Sequence, residues 1–159
     1  MKLKKIIVST LTGYMLMTGT VLAMPNPMVA SPSLLSAERE VGFPALTMTP
    51  QTGFHLKKIY VIDKSLIELR YENSKGQKLA IRTATKKEDM ENISGIHQEK
   101  WEEWNIGCLF MHLTTYDNGK AAAYWNDQIS SYAVIAENMK KAEFIETATA
   151  LYMSINPEP

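Results

Sequence analysis

Cys108 and His112 are the two side chains whose types most suggest a nucleophile and its base. On a single strand they share a face but stand about 13 Å apart at roughly 3.3 Å per residue, far beyond hydrogen-bond reach. A dyad is therefore not expected. Cys108 reads as a small buried thiol, with an intermolecular disulfide between two copies as the alternative in an oxidising compartment. His55, His97 and His112 fall in three separate segments, and no two have the close spacing that a metal site on one element uses. Glu88, Asp89 and Glu91 lie beside Lys86 and Lys87 without the alternating Asp order of a calcium loop, so they read as a solvated charge run. Ile93-Ser94-Gly95-Ile96-His97 lacks the Gly-x-Ser-x-Gly elbow of a serine hydrolase, and no Gly-rich phosphate cradle occurs. Neither a catalytic constellation nor a cofactor or metal is expected.

Trp101 and Trp104 carry the more informative spacing. Three apart on a strand, they point to opposite faces, so at least one leaves the main core unless a bulge intervenes. An exposed indole among Glu99, Lys100, Glu102 and Glu103 could stack on a sugar or on a partner's side chain. The plainer alternative is one core Trp and one edge Trp covered by a loop. Trp125 and Tyr132, on neighbouring late strands, read as cross-strand aromatic packing.

The 159 residues hold 17 basic and 17 acidic side chains, but Lys2, Lys4 and Lys5 belong to a segment that looks like an export signal. A cationic start, Met1–Lys5, is followed by the uncharged and largely apolar run Ile6–Ala23, ending Val21-Leu22-Ala23, so cleavage is expected between Ala23 and Met24. The alternative is an uncleaved anchor, since about 18 residues at 1.5 Å rise just cross a thin hydrocarbon core. No Cys lies at the junction, so a lipid anchor is not expected. Removing residues 1–23 takes three of the 17 basic groups, leaving 14 against 17 acids and a charge near −3 with His neutral. Such a chain has no electrostatic footprint for nucleic acid. One Cys excludes an intrachain disulfide framework and a multi-cysteine metal cluster.

Residues 24–32 hold three prolines in nine positions and read as a flexible or extended spacer; a single domain over 33–156 follows. Ser33 caps a helix over Leu34–Val41, with Leu34, Ala37 and Val41 on one face and Gly42 as the left-handed terminator. Pro44, Pro50 and Gly53 make the next stretch an ordered loop. From Leu56 the period becomes two. Strands are expected at 56–62, around Ile67–Tyr71 and Leu79–Thr83, and at 98–105, 108–116, 121–126 and 129–135. Tight turns are expected at Asp63-Lys64 and Asn73–Gly76, and Asp117-Asn118-Gly119 predicts a type I′ hairpin. A helix capped by Asn138 closes the chain, its stripe formed by Phe144, Ala148, Leu151 and Ile155, widened by Ile145 and Tyr152. The fold class is α+β: an antiparallel sheet of six or seven strands in two meander halves, with a short N-terminal helix and a C-terminal helix packed on one face.

In order, Ala37–Pro44, Gly53–Asp63 and Leu66–Asn73 resemble the opening of the domain of unknown function 4367 family. Ile93-Ser94-Gly95, after the strand that carries Arg82, is similar to that family's loop motif, and Ala123-Tyr124-Trp125-Asn126-Asp127 to its late strand. The likeness covers about residues 34–155. It implies an extracytoplasmic domain of Gram-positive bacteria and supplies no catalytic residue or cofactor. The chain departs from the family in the aromatic segment with Trp101, Trp104 and Cys108, and a cytoplasmic portion is not expected.

The resulting expectation is an exported, non-catalytic binding or sensory module at the cell envelope. Its partner is an envelope protein or polymer, with Trp101 and Trp104 as candidate contacts and membrane contact only through an uncleaved leader. The alternatives are a small secreted hydrolase or inhibitor acting on cell-wall or protein substrates, and a structural envelope protein assembled through exposed edges or a Cys108-linked dimer.

Overall fold

The structure, a computed structural model, describes residues 28–86, 92–96, 100–106, 109–116 and 118–155. Among them, period-two segments give strands β1 (Met28–Ala30), β2 (Phe54–Ile62), β3 (Leu66–Asn73), β4 (Lys78–Thr85), β5 (Glu102–Ile106), β6 (Leu109–Thr115), β7 (Ala121–Asn126) and β8 (Ser130–Glu137). The helices are α1 (Leu34–Val41) and α2 (Lys141–Ile155). All eight strands join one antiparallel sheet in the order β1-β2-β3-β4-β8-β7-β6-β5. Each half is a meander, and the two meet along β4 and β8.

The count of eight corrects the expected six or seven. The added strand lies in the stretch read as a spacer, where Met28, Val29 and Ala30 pair with Ile62, Val61 and Tyr60. Proline cannot donate to a ladder, so a three-residue strand flanked by Pro27 and Pro32 fits only at an edge.

The turns follow local chemistry. Asp63 and Lys64 both take positive φ, 49° and 54°, and the Ser65 amide donates to Ile62 O, as a type I′ turn requires. At Asn73–Gln77 the side-chain Oδ1 of Asn73 accepts from the amides of Lys75 and Gln77, and Gly76 alone is left-handed. The hairpin at Tyr116–Lys120 has the same backbone closure as Asn73–Gln77. Its amides bond Gly119 to Tyr116 O and Tyr116 to Lys120 O, and Gly119 has positive φ while Asn118 does not. The expected type I′ turn is therefore corrected to a three-residue loop, of which Asp117 lies outside the described residues and Gly119 is left-handed.

Helix α1 begins as its sequence dictates, with Ser33 Oγ accepting the Ser36 amide at 3.1 Å and Gly42 ending it left-handed. Helix α2 corrects the expected cap. The Phe144 amide reaches Lys140 O, and Lys140 N–H points back to Glu143 Oε2 at 3.4 Å, so Lys140 fills the cap position. Asn138 instead takes φ 59° and donates its side-chain amide to Gly76 O, while the Met139 amide donates to Gly119 O. The helix start is thereby tied to both hairpin turns at that end of the sheet.

Both helices cover the same sheet face. Ala37 of α1 and Phe144, Ala148 and Leu151 of α2 are buried against Ile67, Leu69, Ile81, Met111, Leu113, Trp125 and Val134. Trp125 stacks on Tyr132 at 5.7 Å, as expected from their pairing, and Tyr152 of α2 lies 5.9 Å from the same indole. The loop between α1 and β2 is tied to the sheet where the Leu46 amide donates to Thr83 Oγ1 and the Met48 amide to the Tyr71 hydroxyl. Alternation sends every second strand residue to the other face, which neither helix covers.

Candidate functional site

On that uncovered face one row of residues runs across seven strands. Tyr60, Glu68, Arg82, Ala133, Tyr124, His112 and Glu103 lie opposite one another in succession on β2, β3, β4, β8, β7, β6 and β5. Glu68 is only 1% exposed, although it sits on the face expected to be half solvated. A carboxylate so buried is costly unless charged donors meet it. Two of the chain's three arginines do so: Arg70 Nε donates to Oε1 at 2.6 Å and Arg82 Nε to Oε2 at 2.7 Å.

Arg82 has a second task. Its Nη1 donates to Ile93 O at 3.1 Å and to Ser94 O at 2.7 Å, pinning the turn 92–96 to the middle of the sheet. The turn is also bonded to itself. Asn92 Oδ1 accepts from the Ser94 amide and hydroxyl, Ser94 Oγ accepts from the Ile96 amide, and Asn92 Nδ2 donates to Ile96 O. Beneath it Ile93 packs with Ala84, Tyr124 and Ala133, with Leu66, Trp101 and Ile135 around them.

The docked turn divides the face. On one side stands an aromatic group: Trp101 meets the Tyr124 ring edge-on at 4.8 Å, Tyr124 stacks on His112 at 4.5 Å, and His112 meets Phe110 edge-on at 5.1 Å. Phe110 at its end is 48% exposed. On the other side lies a groove of about 570 Å³ between the turn (Ser94, Ile96) and β2 (Lys57, Lys58), floored by β3, β4 and β8. Its lining holds Lys57, Lys58, Arg70, Lys78 and Arg82 against Glu68, Glu72 and Glu137, a local excess of positive charge on a chain whose region beyond residue 23 is acidic. The Arg70 guanidinium lies over the Tyr60 ring at 4.7 Å.

A second cleft, of about 470 Å³, opens between α2, the loop 47–53 and the turn 73–77. Several of its polar side chains bond to one another. Gln77 donates to Glu143 and accepts from Asn73, and Asn73 holds its own turn. These bonds tie α2 to the first meander.

The residues singled out from sequence are separated accordingly. Trp101 and Trp104 do go to opposite sides. Trp101 joins the aromatic group on the open face, whereas Trp104, paired with Met111, packs against the main core with its indole Nε1 buried and without a hydrogen-bond acceptor among the described residues. His55 is exposed on β2 opposite Glu72, and His112 lies on β6, with β3, β4, β8 and β7 between those strands. Among the described residues no three His, Cys, Asp or Glu side chains converge as metal ligands. Ala23, Met24, Glu88, Asp89, Glu91, His97, Cys108 and Asp117 lie outside the described residues.

Burial raises the Tyr71 hydroxyl above its ordinary pKa of 10.0, partly offset by its hydrogen bond with the Met48 amide. Burial also raises Tyr132, and the neighbouring Asp127 carboxylate adds to the rise against a lowering from Ser130. Both tyrosines belong to the helix-covered core.

Among the described residues no helix is long and apolar enough to cross a membrane. Comparison with known proteins found no matching family model, no matching curated protein and no matching solved structure.

Proposed function

We propose that the protein is an exported, non-catalytic binding or sensory module of the cell envelope, and that the open sheet face is its contact surface. The observation that carries this reading is the aromatic group ending in the exposed Phe110, set beside a basic groove on the face that neither α1 nor α2 covers. Ring faces and edges of this kind stack on sugars or on apolar side chains, and guanidinium and ammonium groups add polar selectivity. The leader features of residues 1–23 support the address. The resemblance to the domain of unknown function 4367 family, which rests on the order of its motifs, supports the same compartment.

Two measurements test the reading. Mass analysis of exported protein should find an N-terminus at Met24. In capture from intact envelope by the chain from Met24 onward, a Trp101→Ala/Phe110→Ala variant should retain a tenth or less of the native binding. Equal capture by that variant would remove the aromatic surface from the proposal, and protein retained in the cytosol would remove the compartment.

A further inference from the structure

We propose that the groove between the docked turn and β2 is an oxyanion site, in which Arg70 and Lys58 take the repeating anionic group of an extended envelope polymer. The inference rests on the binding-module reading and adds the ligand's chemical class.

Four observations carry it. Lys58 and Arg70 stand directly opposite each other on β2 and β3, a like-charge pairing that costs stability when nothing lies between the two cations. Glu72 and Glu137 flank Lys78 in the next row, yet among the described residues neither forms an ion pair with Lys58 or Arg70 within 4.0 Å. The ladder slips by one residue at Lys57, and with this bulge both consecutive lysines line the groove, where regular alternation would turn one of them away. Finally, Arg70 is held from three sides, by the Tyr60 ring, by Glu68 on its Nε and by Met28 Sδ, which accepts from Nη2 at 3.7 Å, and Nη1, with no partner among the described residues, is the nitrogen that meets an oxyanion. Holding a guanidinium before the ligand arrives removes much of the ordering cost of binding.

The size of the groove points to a chain rather than a free ion. At about 570 Å³ it is far larger than one phosphate or carboxylate needs, and its lining reaches from Lys57 and Lys58 on β2 across β3 and β4 to Ile135 and Glu137 on β8. A polymer lying there places one anionic group at Arg70 and Lys58 and its next units over β4 and β8.

The test is titration of the protein from Met24 onward with three probes: a glycerol-phosphate polymer, an uncharged glucan, and inorganic phosphate. The expected result is binding of the anionic polymer that weakens at least tenfold in Arg70→Gln and in Lys58→Gln and falls steeply with added salt. Lys58 is exposed, so Lys58→Gln is expected to fold, which circular dichroism checks, and its result stands even if Arg70→Gln unfolds. Native-like polymer binding by Lys58→Gln overturns the proposal. So does equal affinity for the uncharged glucan, or inorganic phosphate competing as strongly per anionic group as the polymer. Loss of envelope capture in Trp101→Ala/Phe110→Ala while Lys58→Gln keeps it would reject the anion site and leave the module reading standing. Native-level capture by both variants would reject the anion site and the open face together.

Discussion

Gly95 approaches Arg82 so closely that a Cβ at that position would lie 2.9 Å from the arginine's Nη1. The same nitrogen is engaged by the carbonyls of Ile93 and Ser94, so it cannot give way without breaking the contact that docks the turn. Gly95 also has φ +76°, which L side chains rarely adopt. Gly95→Ala is therefore expected to cost about 1–2 kcal/mol. It should also raise amide exchange over 92–96 above that in β3 and β4. Unfolding in denaturant and exchange mass spectrometry read the two effects, and unchanged protection of the turn would show that Arg82 does not hold it.

The two arginines on Glu68 are not equivalent. Arg82 has 21% of its side chain exposed and also bonds the turn, whereas Arg70 is 44% exposed. Removing Glu68 leaves two guanidiniums facing each other in a partly dry site, so Glu68→Gln should cost about 2–4 kcal/mol, below the range for a fully buried pair because Arg70 is solvent-screened. Arg82→Gln should cost more than Arg70→Gln. A double-mutant cycle on Glu68 and each arginine measures the two couplings, and a larger coupling to Arg70 would contradict this ordering.

Trp101 and Trp104 should separate stability from binding. Truncating the core-facing Trp104 removes an indole packed on the main cluster, and Trp104→Ala is expected to cost about 2–4 kcal/mol. Trp101→Ala loses an edge-on contact with Tyr124 and part of the smaller cluster, at about 1–2 kcal/mol. Of the two, only Trp101 should matter for envelope capture once folding is confirmed by circular dichroism.

Alkaline pH should weaken the fold through Tyr71 and Tyr132. Burial is the main cause of both raised pKa values, so the folded state keeps these protons more tightly than the unfolded one. Their contribution is complete below about pH 10 and is lost as pH rises from there through the folded values. Stability measured from pH 9 to 11.5 should therefore fall, and less steeply in Tyr132→Phe, which has no proton to lose. An identical slope in that variant would place the titration elsewhere.

Much of the architecture could be read from residue order because local signals coincide with it. Ser33 and Gly42 bound α1, and Phe144, Ala148 and Leu151 form the buried stripe of α2. Asn138 misled as a cap because a residue of that type serves equally well in a left-handed position, and the carbonyl of Gly76 decides between the roles. Strand β1 was hidden by its prolines, since only the presence of β2 gives Met28–Ala30 a partner.

The Glu68 group was missed for a different reason. Glu68 and Arg70 alternate with apolar residues as a solvated face would. Register carries the missing information, and the turn supplies it: counting five residues back from Asn73 and five forward from Gln77, which close the hairpin, sets Glu68 against Arg82. The burial of Glu68 depends further on the turn 92–96 returning over the sheet, a contact between distant positions that no local pattern encodes.

The seam between β4 and β8, eight facing pairs from Lys78 with Glu137 to Thr85 with Ser130, makes the tie between the meanders non-covalent as well as covalent. A polypeptide cut between Lys86 and Trp101 would still yield two pieces that each offer a complementary edge, the first bearing α1 and the second α2. Their reassembly into one sheet would make this protein a split reporter, its signal proportional to how often the two pieces meet.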